Sequence, residues 1–335
     1  MMIANMSQRL LVLLFGALAL FAAIPAQAER AQPVKPYADP DREVMVPVEG
    51  GRVYVRVNGD LTPDAIPVIF LHGGPGGVHN GFAAMLGLAN ERPVIMYDQL
   101  DSGRSDQPND PANWRVERFV DTLETIRQTL GVDRWHIVGQ SWGSAIALEY
   151  TARYPKHSVS TVLGGTFIST PHWITDANLL IADLPKEKLL VLEACESDDP
   201  PPLQECSAVF SMLYSRYYER PASNPEARAY AQRIGGNGFN PVIYRGMWGP
   251  SEFSSTGTLK TYDATHLLRE VDSKRTLFLI GQYDSARIDT VQDFVRLAPG
   301  AELAVVPGGS HGFMRDRPLE TEAILRGWLA RNDKP

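Results

Sequence analysis

Cysteine is scarce in this chain, positive charge is nowhere concentrated, and no apolar run reaches membrane-spanning length. Only Cys195 and Cys206 occur among the 335 residues. Two cysteines without nearby paired histidines do not make a structural zinc site, which takes four ligands at set spacings. In an oxidising compartment they favour a disulfide closing a small loop, two free buried thiols being the alternative. A net charge of −7 with no basic patch argues against a nucleic-acid partner. There is no internal repeat and no low-complexity tract. The one long apolar run, "LLVLLFGALALFAAI" over 10–24, falls short of the roughly 20 residues that cross a bilayer.

That run has a different use. Arg9 precedes it, and Ala26-Gln27-Ala28 supplies a small-x-small site before Glu29, the pattern of a secretory leader over 1–28. No cysteine follows to take a lipid. The expectation is cleavage after Ala28 and an exported protein, periplasmic or secreted and without stable membrane insertion. A retained anchor is the alternative.

What remains is ordinary for a globular protein, with 44% hydrophobic and 21% charged residues. Residues 29–42 are polar and proline-rich, an extended lead-in. "REVMVPV" and "RVYVRVNG" alternate around "EGG" and predict an antiparallel hairpin. The pattern then changes to continuous apolar runs at 67–72, 93–98, 135–140 and 160–165, which suit interior strands of a mostly parallel sheet. A helix is predicted over 114–130, with Gly131 as its C-terminal stop. From 168 to 262 the strand signal vanishes, to return at 275–281 and 301–307 before a final helix near 318–331. Strands alternating with helices give an α/β doubly wound sheet. Its core is expected over 43–167 and 263–335, with 168–262 as an inserted helical cap.

"GQSWG" places Ser141 between an apolar strand and a helix, flanked by glycines. In that context G-x-S-x-G reads as a nucleophile elbow, which presents a serine hydroxyl at the carboxyl edge of the sheet. A serine needs a base. Of seven histidines, His311 in "PGGSHGFM" follows the last strand in a glycine-rich loop; His72 and His136 lie in or at the ends of other strands. The orienting acid belongs between serine and histidine in chain order. Asp284 follows a buried strand directly, and Asp289 is its rival. "LHGGPGG" then offers close-approaching backbone N–H groups for an oxyanion, assigned to Gly74 and to Trp142, the residue after the serine. A phosphate loop is disfavoured because no G-K-[ST] follows. No metal and no organic cofactor are implied.

Taken together, "HGGPGG", "YDQLDSGRSD", "VGQSWGSAIALEY", "GPSEFSSTGTLKTYD", "GQYD" and "GGSH" resemble the proline iminopeptidases, from about residue 43 to the C-terminus. The resemblance implies an α/β-hydrolase fold with a helical cap. It also implies a serine exopeptidase or amidase acting on the first residue, proline or another small apolar one, of short peptides or amino-acid amides. It assigns nucleophile, acid and histidine to Ser141, Asp284 and His311, and oxyanion donors to Gly74 and Trp142. Cap glutamates hold the substrate's amine in that family; "GPSEF" puts one at Glu252, and Glu219 in "YSRYYERP" is the candidate second. A carboxylesterase or lactonase using the same triad is the alternative, and a non-catalytic hydrolase-like binding protein a further one. Two features depart from the family: Asp101 where a small residue is usual, an extra charge near the expected pocket, and the acidic two-cysteine loop. Trp173, Phe210, Tyr214, Tyr217, Tyr244 and Trp248 either line a first-residue pocket or form the cap's own core. Oligomeric state is left open.

Overall fold

The alternating residues near the start of the sheet form the expected hairpin, though from Val53 to Asn58 its second strand is buried on both faces. The computed structural model describes residues 33–197, 203–220 and 224–333, so the leader expected over 1–28 lies outside the described residues. Strands β1 (Arg42–Val48) and β2 (Gly51–Asn58) pair antiparallel, from Arg42 opposite Val57 to Val48 opposite Gly51. The apolar runs become β3 (Val68–Leu71), β4 (Val94–Tyr97), β5 (Trp135–Gln140), β6 (Ser158–Gly164), β7 (Thr276–Gly281) and β8 (Glu302–Val306). They complete an eight-stranded sheet in the order β1-β2-β4-β3-β5-β6-β7-β8. β2 meets β4 antiparallel, and every pairing beyond that is parallel.

The interior strands are apolar on both sides because both faces are covered. Ile69, Leu71, Ile95, Tyr97 and Ile137 face one core, formed with helices α1 (Val116–Leu130), α2 (Trp142–Arg153) and α8 (Ile288–Leu297). Their neighbours Val68, Phe70, Val94, Met96 and Val138 face a second core. That core is closed by α10 (Pro318–Asn332), the short α9 (Phe313–Asp316) and a buried 3₁₀ stretch, His79–Asn90. The alternation is the period-two geometry of a strand. Helix α1 ends where the sequence says, at Gly131 in the left-handed region (φ 69), whose N–H returns to the last turn.

Between β6 and β7 the chain is helical: α3 (Thr170–Ile181), α4 (Lys186–Cys195), α5 (Leu203–Tyr217), α6 (Pro225–Ile234) and α7 (Pro241–Met247). The excursion leaves and returns side by side. Ser169 and Asp263 form an antiparallel bridge, and the N–H groups of Thr170 and Ala264 donate to Tyr262 and Ile168 at 2.8 and 2.9 Å. Cys195 and Cys206 form a disulfide that ties α4 to α5. The lead-in fastens α6: buried Arg56 donates to Ala38 O at 3.0 Å and to Tyr230 Oη, while Tyr37 packs its ring on Tyr230.

Replacing Cys195 and Cys206 together by serine should lower unfolding stability by about 2–3 kcal/mol, the loop-closure value for a short loop. Guanidinium unfolding without reductant measures it, and an unchanged midpoint would show that α4 and α5 do not need the link.

Candidate active site

Strand β5 hands over to α2 through one residue. Ser141 sits there at φ 56, ψ −122, a left-handed conformation that costs a non-glycine residue about 1–3 kcal/mol. Its neighbours enforce it. The Ser141 N–H donates to Gly164 O at 2.8 Å, and its carbonyl accepts from the Ser144 N–H at 2.7 Å and Ser144 Oγ at 2.6 Å. The flanking glycines answer to room: a Cβ on Gly139 would lie 2.1 Å from Gly143 O, and one on Gly143 only 2.0 Å from Leu71 O.

Asp284 follows β7. Its carboxylate accepts the N–H groups of Gly281 (3.1 Å) and Ala286 (3.0 Å), and Oδ1 lies 2.7 Å from His311 Nδ1. Asp289 is elsewhere, on the surface and paired with Arg287 at 3.0 Å. The His311 loop is gripped from two sides. Its N–H and that of Gly312 donate to Tyr217 O (2.8 Å) and Tyr218 O (3.0 Å) at the end of α5. Its carbonyl accepts Gln140 Nε2 at 2.7 Å, from the residue next to the serine. Trp173 and Tyr218 meet the imidazole edge-on, at 5.4 and 5.3 Å between centroids. Ser141 and His311 open onto the same cavity.

Burial opposes a charge on His311, yet the Asp284 charge and hydrogen bond, with the Glu252 charge, outweigh it and raise its pKa. The other two candidate histidines are structural. His72 Nε2 accepts the Gln99 N–H at 3.0 Å, and burial drives its pKa down to about 4. His136 pairs with Ser160 Oγ and Asp333.

The loop after β3 lies against the serine: a Cβ on Gly73 would come 2.9 Å from Ser141 Cβ. Gly74 adopts φ 115, and no acceptor among the described residues takes its N–H or that of Trp142. Gln99 joins the two segments, donating to His72 O at 2.8 Å and accepting the Trp142 indole N–H at 3.0 Å. Neither this bridge nor the Gln140 contact announces itself in the sequence; each links residues far apart in the chain through an amide with no motif of its own.

Two spaces meet at Ser141. A chamber of about 410 Å³ runs past Gly74, Phe82, His311 and Arg315. A pocket of about 10 Å³ is walled by Pro75, Phe167, Trp173, Trp248 and Leu259. Glu252 borders both. Tyr244 Oη donates to its Oε1 at 2.8 Å; burial raises its pKa, partly offset by the charge of His311 and that hydrogen bond. Glu219 lines the chamber from an exposed position. Of the cap aromatics, Trp173 and Trp248 wall the pocket and Tyr214 lines the chamber. Phe210 lies in an outer groove, and Tyr217 Oη donates to Leu180 O. Asp101 lines neither space. It is fully buried, accepting Trp114 Nε1 at 2.9 Å and the Asn109 N–H at 2.6 Å, so its charge serves a turn. Among the described residues no three of His, Cys, Asp or Glu gather as metal ligands.

The chain matches the model of the alpha/beta hydrolase fold over residues 66–318. It is 33% identical to a proline iminopeptidase of Heyndrickxia coagulans, across 86% of this chain and 98% of that one. The chain belongs to the proline iminopeptidase family. Within it, the crystal structure of the Mycobacterium smegmatis proline iminopeptidase superposes with a TM-score of 0.76 at 30% identity, covering 87% of this chain and 99% of that one. The crystal structure of VinJ superposes at 0.80 and 29% identity, over 88% and 99%. The chain is a serine hydrolase of the α/β-hydrolase fold, as its motifs imply.

An imidazole that serves as base must be neutral, and Asp284 holds the His311 pKa above its ordinary value near 6.5. The acid limb of the kcat/KM profile should therefore lie above that value and move to lower pH in Asp284→Asn, with kcat falling about 10⁴-fold. A pH–rate profile of both proteins checks it; an unmoved limb would assign that titration to another group.

Proposed function

We propose that the protein is a serine aminopeptidase that releases the N-terminal residue of short peptides or amino-acid amides. Ser141 Oγ attacks the first carbonyl carbon while His311 Nε2 takes its proton, with Asp284 holding the ring by Nδ1. The oxyanion is received by the N–H groups of Gly74 and Trp142. Collapse breaks the C–N bond, and His311 returns the proton to the departing amine. Water then attacks the acyl-serine, yields its proton to His311 and frees the amino acid and Ser141.

The observation that carries this reading is Glu252, a desolvated carboxylate on the walls of both spaces at Ser141. Its only side-chain hydrogen bond among the described residues comes from Tyr244. A substrate ammonium set against it gives a charge-assisted hydrogen bond. That anchor restricts attack to the bond after the first residue. The pocket beside it is walled by aromatic and apolar side chains and has room for about one water, so a proline or other small apolar side chain enters as those walls move apart. The names of the relatives point to proline. Glu219 is assigned a lesser part, a second negative charge on the larger chamber. Export is part of the same proposal, supported by the leader pattern and by a disulfide that suits an oxidising compartment.

Glu252→Gln should cut kcat/KM for prolyl-naphthylamide about 30- to 100-fold, the worth of a hydrogen bond to a charged group. A simple acyl ester should lose much less, and Ser141→Ala should abolish both. Equal loss on amide and ester in the glutamine variant would favour an esterase or lactonase.

N-terminal sequencing of protein recovered from the producing cells should begin at Glu29. A membrane-bound chain retaining residues 1–28 would overturn export.

A further inference from the structure

His311 protonates the leaving amine in the reading above, so the leaving group lies on the His311 side of the chamber. That side carries a cation. Arg315, on α9, folds back over the residue that follows the base: its Nη2 and Nε lie 3.2 and 3.6 Å from the point where a Cβ on Gly312 would stand. It borders the larger chamber and is absent from the small pocket.

No carboxylate among the described residues forms an ion pair with this guanidinium. The adjacent Asp316 turns inward, accepting the Ser310 N–H at 2.8 Å and Ser310 Oγ at 2.5 Å. Glu219 lines the same chamber without an ion pair to Arg315. The charge of Arg315 is felt at His311, where it opposes protonation.

An arginine facing a substrate chamber with no acid of its own suits a planar anion, and a carboxylate matches its fork of donors. In a dipeptide the leaving residue bears its carboxylate on the same α-carbon as the nitrogen that His311 protonates. We propose that Arg315 captures this α-carboxylate, so that the preferred substrates are dipeptides with a free C-terminus. The proposal rests on the aminopeptidase reading. It adds a second anchor: Glu252 holds the ammonium at one end and Arg315 the carboxylate at the other, with Ser141 between them. A longer peptide or an amide presents no carboxylate at that point.

The test compares prolyl-alanine, prolyl-alanine amide and prolyl-naphthylamide on wild type, Arg315→Gln and Arg315→Lys. Wild type should favour the acid over the amide about tenfold in kcat/KM, the low end of what a hydrogen bond to a charged group contributes, because Arg315 is exposed to solvent. The ratio should fall to near parity in Arg315→Gln and recover in part in Arg315→Lys. The ratio within one protein cancels any general loss of activity, and the wild-type comparison needs no variant to fold. Equal use of acid and amide by wild type, with naphthylamide still cleaved, would overturn the Arg315 assignment alone. So would a ratio unchanged in Arg315→Gln. Failure to cleave any of the three, with a simple ester still hydrolysed, would overturn the aminopeptidase reading and this proposal with it.

Discussion

A single backbone conformation underlies the site. Ser141 stands in a region of φ,ψ that a serine avoids, and it stays because β5, β6 and α2 leave it no alternative. The turn sets Ser141 in the chamber wall and leaves the Trp142 N–H, the first of α2, without a backbone acceptor among the described residues. Gly139 lets the start of α2 fold back on β5, and Gly143 lets α2 approach β3 close enough for the loop after β3 to reach the serine. Substituting either glycine would push these segments apart and separate the hydroxyl from the N–H groups proposed to receive the oxyanion.

Charge in the site follows from that packing. The Asp284 carboxylate is hydrogen-bonded by two backbone N–H groups and the imidazole, the satisfaction that a buried carboxylate requires. Glu252 lacks such a set. One phenol hydroxyl is its side-chain partner, and burial raises its pKa. A substrate ammonium supplies the counter-charge that this carboxylate lacks, and a substrate without one leaves it unpaired.

Much of this could be read from residues alone, for a physical reason. A parallel strand buried on both faces must be a continuous apolar run, and functional loops in such a sheet follow the carboxyl ends of those runs. Ser141, Asp284 and His311 each follow a strand, so their placement was visible. Asp284 could be preferred to Asp289 on the same ground, since it lies nearer the strand end. Contacts that depend on tertiary folding were not visible. Tyr217 and Tyr218 support His311 with their carbonyls, which every residue possesses and no pattern marks. Asp101 read as a pocket charge because a sequence gives no side-chain direction; its carboxylate turns inward to Trp114. The aromatics of the cap divided between pocket wall and cap interior, a partition set by how α3, α5 and α7 cross rather than by residue type.

The grip of α5 on the His311 loop has a consequence for how such a protein diversifies. A lid that only covered the substrate could be exchanged freely, and each new lid would bring a new diet at undiminished turnover. Here the lid also holds the proposed proton carrier: the carbonyls of Tyr217 and Tyr218, at the end of α5, take the N–H groups of His311 and Gly312, and two aromatic rings, Trp173 and Tyr218, flank the imidazole. Lineages that remodel this lid must therefore refit the base at each step. Selectivity and speed are inherited together, and change in one is bounded by what the other tolerates.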